Sequence, residues 1–190
     1  MGQARVLSDD EFGRLMRHAG STRYGARNQA ILGLTHLAGL RVGEVAALRW
    51  RDLLGQDGAI FNEFRLTANM TKGGRARTVY VSQKLKEILT KYAASSTFRE
   101  YDAALMPSQK DRRGGFNPNT LAQTLKALYA LAGIDQCSSH SGRRTFLTNL
   151  ADRGVGIHVL AHLAGHRNIS TTARYLYASP RALATAVNLA

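Results

Sequence analysis

Arg41 and Glu44 stand three residues apart in AGLRVGEVAALRW, and His140 and Arg143 repeat that spacing in HSGRRTFLTNLADRG. On a helix, residues three apart share a face. Gly165-His166 closes a third segment, and Tyr175 follows His166 by nine residues in HRNISTTARYLY. These residue types define a chemistry. A guanidinium presents a fork of donors that grips two oxygens of a phosphate or carboxylate. An imidazole takes or gives a proton near neutral pH. A phenol becomes a nucleophile once a base removes its proton. The pieces are scattered along the chain, as a site assembled by folding would be. Each alone has a plainer reading: Arg41 with Glu44 as a surface ion pair, His140 with Arg143 as a solvent-facing pair at a helix start, Tyr175 as a packed ring with Tyr177 as nucleophile. The spacing from His166 favours Tyr175.

The charge suggests what such a site would act on. Lys and Arg number 26 against 13 Asp and Glu, for a net charge of +13. Arg far outnumbers Lys, and the cations recur through the folded segments instead of forming one tail. That distribution fits a basic cleft for a polyanion, nucleic acid first among them. Hydrophobic residues make up 44% of 190, ordinary for a globular chain. The apolar stretches are short and interrupted by charge, so no membrane span or signal peptide is expected. Cys137 is the only cysteine, which excludes an internal disulfide and fits a reducing, cytoplasmic setting.

The elements that must carry these residues read as mainly α-helical with one small antiparallel sheet. Ser8 and Glu11 form a capping-box pattern before Phe12, Leu15 and Met16. Residues 26–38 read as an apolar helix closed by Gly39, and a second helix carries Val42, Val45, Ala46 and Leu48. Residues 59–68 and 77–81 read as strands, with Lys72-Gly73-Gly74 as the turn between them. Ser82 starts a helix to about Ala94, and 95–118 reads as a long surface loop. Further helices are expected over 119–132, 139–152, the run IHVLAHLA, 170–177, and a final apolar segment ALATAVNLA. Trp50 reads as core.

The order Arg, Glu, Lys in a Gly turn between strands, His-x-x-Arg, Gly-His and Tyr resembles the tyrosine recombinases, the phage-integrase family. The resemblance covers roughly residues 5–180. Arg41 matches the first catalytic Arg, Glu44 the acidic residue beside it, Lys72 the hairpin Lys, His140 and Arg143 the His-x-x-Arg pair, His166 the last active-site His, and Tyr175 the nucleophile. It implies the recombinase catalytic fold and site-specific breakage and rejoining of double-stranded DNA through a 3′-phosphotyrosine bond. Arg41 and Arg143 would bind the phosphate and stabilise its pentavalent transition state. Lys72 would protonate the departing 5′ oxygen, His140 would accept the Tyr175 proton, His166 would hydrogen-bond the phosphate, and Glu44 would hold an Arg or the basic His in place. Arg75, Arg77, Arg144 and Arg167 are candidate DNA contacts, and Arg75 or Arg77 is an alternative to Lys72 should the turn shift. Arg112 and Arg113 are further loop cations.

No cofactor and no metal is expected. His158, His162 and His166 fall at i, i+4 and i+8, a zinc-compatible spacing, but no Glu, Asp or Cys nearby completes a set. The resemblance implies a homotetramer on DNA, with a monomer possible in isolation. Two departures stand out. Relatives carry a separate N-terminal DNA-clamping domain, whereas residues 1–190 read as a single catalytic domain. Tyr177 stands where many relatives have a His. The C-terminal segment either docks on a neighbouring protomer or closes this domain's own core. Two other functions use the same residues: a type IB topoisomerase-like relaxation of DNA, and a catalytically silent DNA-binding regulator.

Overall fold

The computed structural model describes residues 4–71, 73–96, 100–108, 113–175 and 187–188. Helix α1 (Asp9–Gly20) begins where expected. The Ser8 hydroxyl accepts the Glu11 N–H, and the Glu11 carboxylate accepts the Ser8 N–H at 3.0 Å. Phe12, Leu15 and Ala19 recur at helical spacing and turn inward. They pack on α2 (Gly25–Leu37), whose run Ala30–His36 is buried throughout. Such all-round burial makes α2 the central helix, and it packs on α1, on α5 (Gln83–Ser95) and on α7 (Ser141–Asp152). Between them come α3 (Val42–Ala47), α4 (Trp50–Leu53), strands β1 (Glu63–Leu66) and β2 (Arg77–Tyr80), and α6 (Pro118–Leu131). Two short helices, α8 (Ile157–Ala164) and α9 (Ile169–Ala173), complete the described part.

The strands pair antiparallel, Glu63 opposite Tyr80 and Leu66 opposite Arg77. β1 is shorter than expected, because the chain at 54–60 first folds back on itself: Leu54 bridges Ile60, and the Gly55 N–H bonds to the Ala59 carbonyl at 2.9 Å. The four-residue α4 was not foreseen, being too short to show a period. It places Trp50 in the core, 1% exposed and stacked on Tyr92. Of the expected C-terminal helix, only residues 187–188 are described.

The apolar side chains form two clusters. The larger joins α1–α6 and the sheet. The smaller centres on Leu147, Leu160 and Ala164 of α7 and α8, with Phe146 and Tyr175 against it. Two glycines let α7 come close to α2. A Cβ on Gly142 would stand 2.8 Å from the His36 ring and the Thr35 hydroxyl, and one on Gly39 would stand 2.5 Å from the Phe146 ring. Gly39 also has φ +65°, a backbone conformation that side chains other than glycine's resist. The seam between the two clusters is where the charged residues gather.

Candidate active site

Arg41 is the residue that starts α3, and its extended backbone turns the chain out of α2. Glu44, one turn on, accepts the Arg41 N–H at 2.8 Å and the Arg41 Nη1 at 3.0 Å. The Glu44 side chain is 1% exposed. Burial alone would raise its pKa, but the hydrogen bond and charge of Arg77, the Arg41 N–H and the charge of Arg143 together hold it below the ordinary carboxylate value. Glu44 is therefore ionised. Arg77 binds it with both terminal nitrogens, at 2.7 and 2.8 Å.

Arg143 lies in the first turn of α7 and is buried. Its Nη1 donates to the Gly39 carbonyl at 2.7 Å, and its Nη2 donates to the Ala164 carbonyl. One guanidinium thus ties the turn before α3 to the end of α8. Burial pushes its pKa down to about 9, aided by the positive charges of Arg41 and Arg77 and opposed by Glu44 and Tyr175. It remains a cation at neutral pH.

His166 follows Gly165, which ends α8 in the left-handed conformation at φ +62°. Its Nε2 stands 3.1 Å from Nη2 of Arg143, and its Nδ1 stands 2.9 Å from the Thr172 hydroxyl. A guanidinium offers no lone pair, so Nε2 accepts and Nδ1 carries the proton toward Thr172. Burial, then the charges of Arg143, Arg41 and Arg77, push the His166 pKa down to about 4. The ring is neutral and steadies Arg143; it presents no proton to the cavity in this arrangement. Tyr175 stacks on it, ring centres 5.9 Å apart and 15° from parallel.

Arg41, His140, Arg143, His166 and Tyr175 line one cavity of about 680 Å³, together with Ala4, Ser138, Arg144 and Arg174. His140 sits just before α7, exposed, with its N–H bonded to the Ser138 hydroxyl. A second cleft of about 400 Å³ shares Arg41 and His166 and is lined by Thr71, Gly73, Arg75 and Arg167. Two basic clefts meeting at Arg41 and His166 can hold an extended polyanion with one phosphate at the buried guanidinium.

Of the remaining expected residues, Arg75 and Arg167 are exposed at that second cleft. Arg144 is half-buried, and its Nη1 donates to the Ala4 carbonyl at 2.7 Å. Arg77, another candidate DNA contact, also lines that second cleft, but its side chain is buried on Glu44. Strand alternation explains this: Arg77 shares the inward face of β2 with Val79. Lys72, Arg112, Tyr177 and most of the final segment lie outside the described residues. Thr172, fully buried, went unnoticed in the sequence; nothing but its place six residues after His166 marks it. Among the described residues, no three His, Cys, Asp or Glu side chains stand close enough to hold a metal ion, and no helix is long and apolar enough to cross a membrane.

The model of the phage integrase family matches residues 5–181. A tyrosine recombinase XerD of Oceanobacillus iheyensis is 31% identical over 178 residues, 90% of this chain and 57% of that protein. A tyrosine recombinase of Pseudothermotoga lettingae is 31% identical over 163 residues, 85% of this chain and 53% of its own length. The chain spans about half the length of the curated relatives it matches. Among solved structures, XerA recombinase superposes with a TM-score of 0.77 at 26% identity, covering 100% of this chain and 64% of the other. A XerH recombinase bound to difH substrate in a post-cleavage complex shares the fold with a TM-score of 0.72 at 17% identity, covering 98% and 53%.

Proposed function

Because the chain belongs to the phage integrase family, we propose that it carries the catalytic chemistry of a site-specific recombinase, cutting and rejoining double-stranded DNA through a 3′-phosphotyrosine bond at Tyr175. The observation that carries this reading is the single cavity lined by Arg41, His140, Arg143, His166 and Tyr175. That solved proteins of the same fold hold DNA, XerH among them, supports DNA as the substrate.

The scissile phosphate enters between Arg41 and Arg143, whose charges offset the repulsion that a phosphodiester exerts on an approaching phenolate. His140, exposed in the cavity, takes the Tyr175 proton. The phenolate oxygen attacks phosphorus as the bond to the 5′ oxygen breaks. Lys72 gives that oxygen a proton. Its sequence neighbours Thr71 and Gly73 line the cleft that contains Arg41. A phosphodiester is exchanged for a phosphotyrosine ester of similar energy, so a 5′ hydroxyl from a second strand can reverse the step and complete rejoining. The scheme uses protein groups alone. Four copies on two duplexes would cut and exchange one strand of each at a time.

The test is to incubate the protein with duplex fragments from its own genomic neighbourhood, denature, and look for protein bound to DNA. A covalent adduct on a defined sequence supports the reading. Relaxation of supercoiled DNA without sequence preference would replace it with a topoisomerase-like activity. Specific binding with no adduct would replace it with a regulator.

A further inference from the structure

Arg77 is a buried cation that the scheme above does not use. Its side chain is 6% exposed, and both its terminal nitrogens sit on the two Glu44 oxygens. Among the described residues, its Nε is buried without a hydrogen-bond partner. Its stem lies under the end of α8, where a Cβ on Gly165 would stand 2.9 Å from the Arg77 Cδ. It therefore touches the carboxylate that holds Arg41 on one side and the residue before His166 on the other.

What matters is how Glu44 is shared. A carboxylate facing a single guanidinium takes two parallel donors from it. Here Arg77 occupies one edge of the carboxylate in that manner. Arg41 gives Glu44 only Nη1 from its side chain, together with its backbone N–H. Among the described residues, Nη2 and Nε of Arg41 make no hydrogen bond, on a side chain that is 28% exposed at the junction of the two basic clefts. Without Arg77, the ionised Glu44 would draw the whole Arg41 fork to itself and cancel the charge meant for the phosphate.

We propose that Arg77 is a positioning residue for the cleavage reaction: by saturating Glu44 it keeps the donors of Arg41 free for the scissile phosphate. This rests on the recombinase reading of the site. It makes a statement that a merely structural ion pair does not: removing the Glu44 charge as well should restore what loss of Arg77 takes away.

The experiment compares wild type, Arg77→Gln and the pair Glu44→Gln with Arg77→Gln, all checked for fold by circular dichroism. The readout is the rate of adduct formation on the duplex found by the test above. Arg77→Gln should be slower by roughly tenfold or more with DNA affinity little changed, and the double variant should be faster than the single one by roughly threefold or more. Should Arg77→Gln not fold, Arg77→Lys takes its place, since it keeps the charge and loses the fork. A single variant at the wild-type rate, or a double variant no faster than the single, overturns the inference. A wild-type protein that makes no adduct contradicts the functional reading alone. Titration of the same proteins with tungstate then decides the inference: weaker binding in the single variant with recovery in the double supports it, and equal binding throughout overturns it.

Discussion

Nδ1 of His166 and the hydroxyl of Thr172 stand 2.9 Å apart, and this contact fixes which way the imidazole points. The guanidinium of Arg143 can only donate, so Nε2 accepts from it and the Nδ1 proton is left for Thr172, which holds the orientation of the ring that receives Arg143. Thr172 also sits on α9, which leads to Tyr175 three residues later. The orientation of Arg143 and the placement of Tyr175 are thereby joined through a single ring.

Thr172→Val keeps the volume of this fully buried side chain and removes the acceptor. An unpaired buried donor costs about 1–3 kcal/mol. Adduct formation should slow by roughly tenfold, while Thr172→Ser stays near wild type. Nitrogen NMR of the His166 ring reads the tautomer directly. A wild-type ring that carries its proton on Nε2 and not on Nδ1 would contradict the assignment.

Arg143 both bonds the protein's own carbonyls and lines the cavity, and its variants should separate the two. Its guanidinium satisfies the Gly39 and Ala164 carbonyls and also faces the cavity. Arg143→Ala should abolish cleavage with DNA binding mostly retained, because the transition state needs this cation more than the ground state does. It should also lower stability by about 2–4 kcal/mol, since two buried carbonyls lose their donors. Denaturant unfolding checks the second effect. Undiminished stability would mean that those carbonyls find other partners.

A pH effect on stability follows from His36, buried in the α2 core. Its Nδ1 donates to the Leu32 carbonyl at 3.0 Å, and its Nε2 accepts from the Tyr129 hydroxyl at 3.3 Å. Burial pushes its pKa down from 6.5 to about 4, against a smaller opposite effect of the Leu32 carbonyl. The unfolded chain therefore binds this proton more readily than the folded one. The stabilisation is complete above pH 6.5 and is lost as the pH falls through about 4. Between pH 7 and 5 the loss should be about 2 kcal/mol from this residue. Chemical unfolding of wild type and His36→Gln at both values tests it: the variant should lose less on acidification. Equal losses would place the sensitivity elsewhere.

Much of this arrangement was legible in the sequence, for identifiable reasons. The Ser8 to Glu11 pattern marks the start of α1, and Gly39 and Gly165 mark turns after α2 and α8, because caps and left-handed turns restrict residue choice locally. Arg41, His140, Arg143, His166 and Tyr175 were found through type and spacing, and they line one cavity. The burial of Arg77 was not foreseen, because a list of cations does not distinguish inside from outside. The alternation of Arg77 with Val79 along β2 carried that information. Thr172 was missed because its part depends on where the α8–α9 turn brings His166, a tertiary fact that no local pattern encodes. The Gly39 and Ala164 carbonyls are backbone groups and invisible to any reading of residue types.

The most direct test of the account is the identity of the residue joined to DNA. Adducts trapped on the target duplex would be digested with nuclease and protease, and the remaining nucleotide located by mass spectrometry. The account predicts a 3′-phosphate linked to Tyr175, and no adduct from Tyr175→Phe although that variant still binds DNA. An adduct carried by any other residue, or one that survives in Tyr175→Phe, would contradict it.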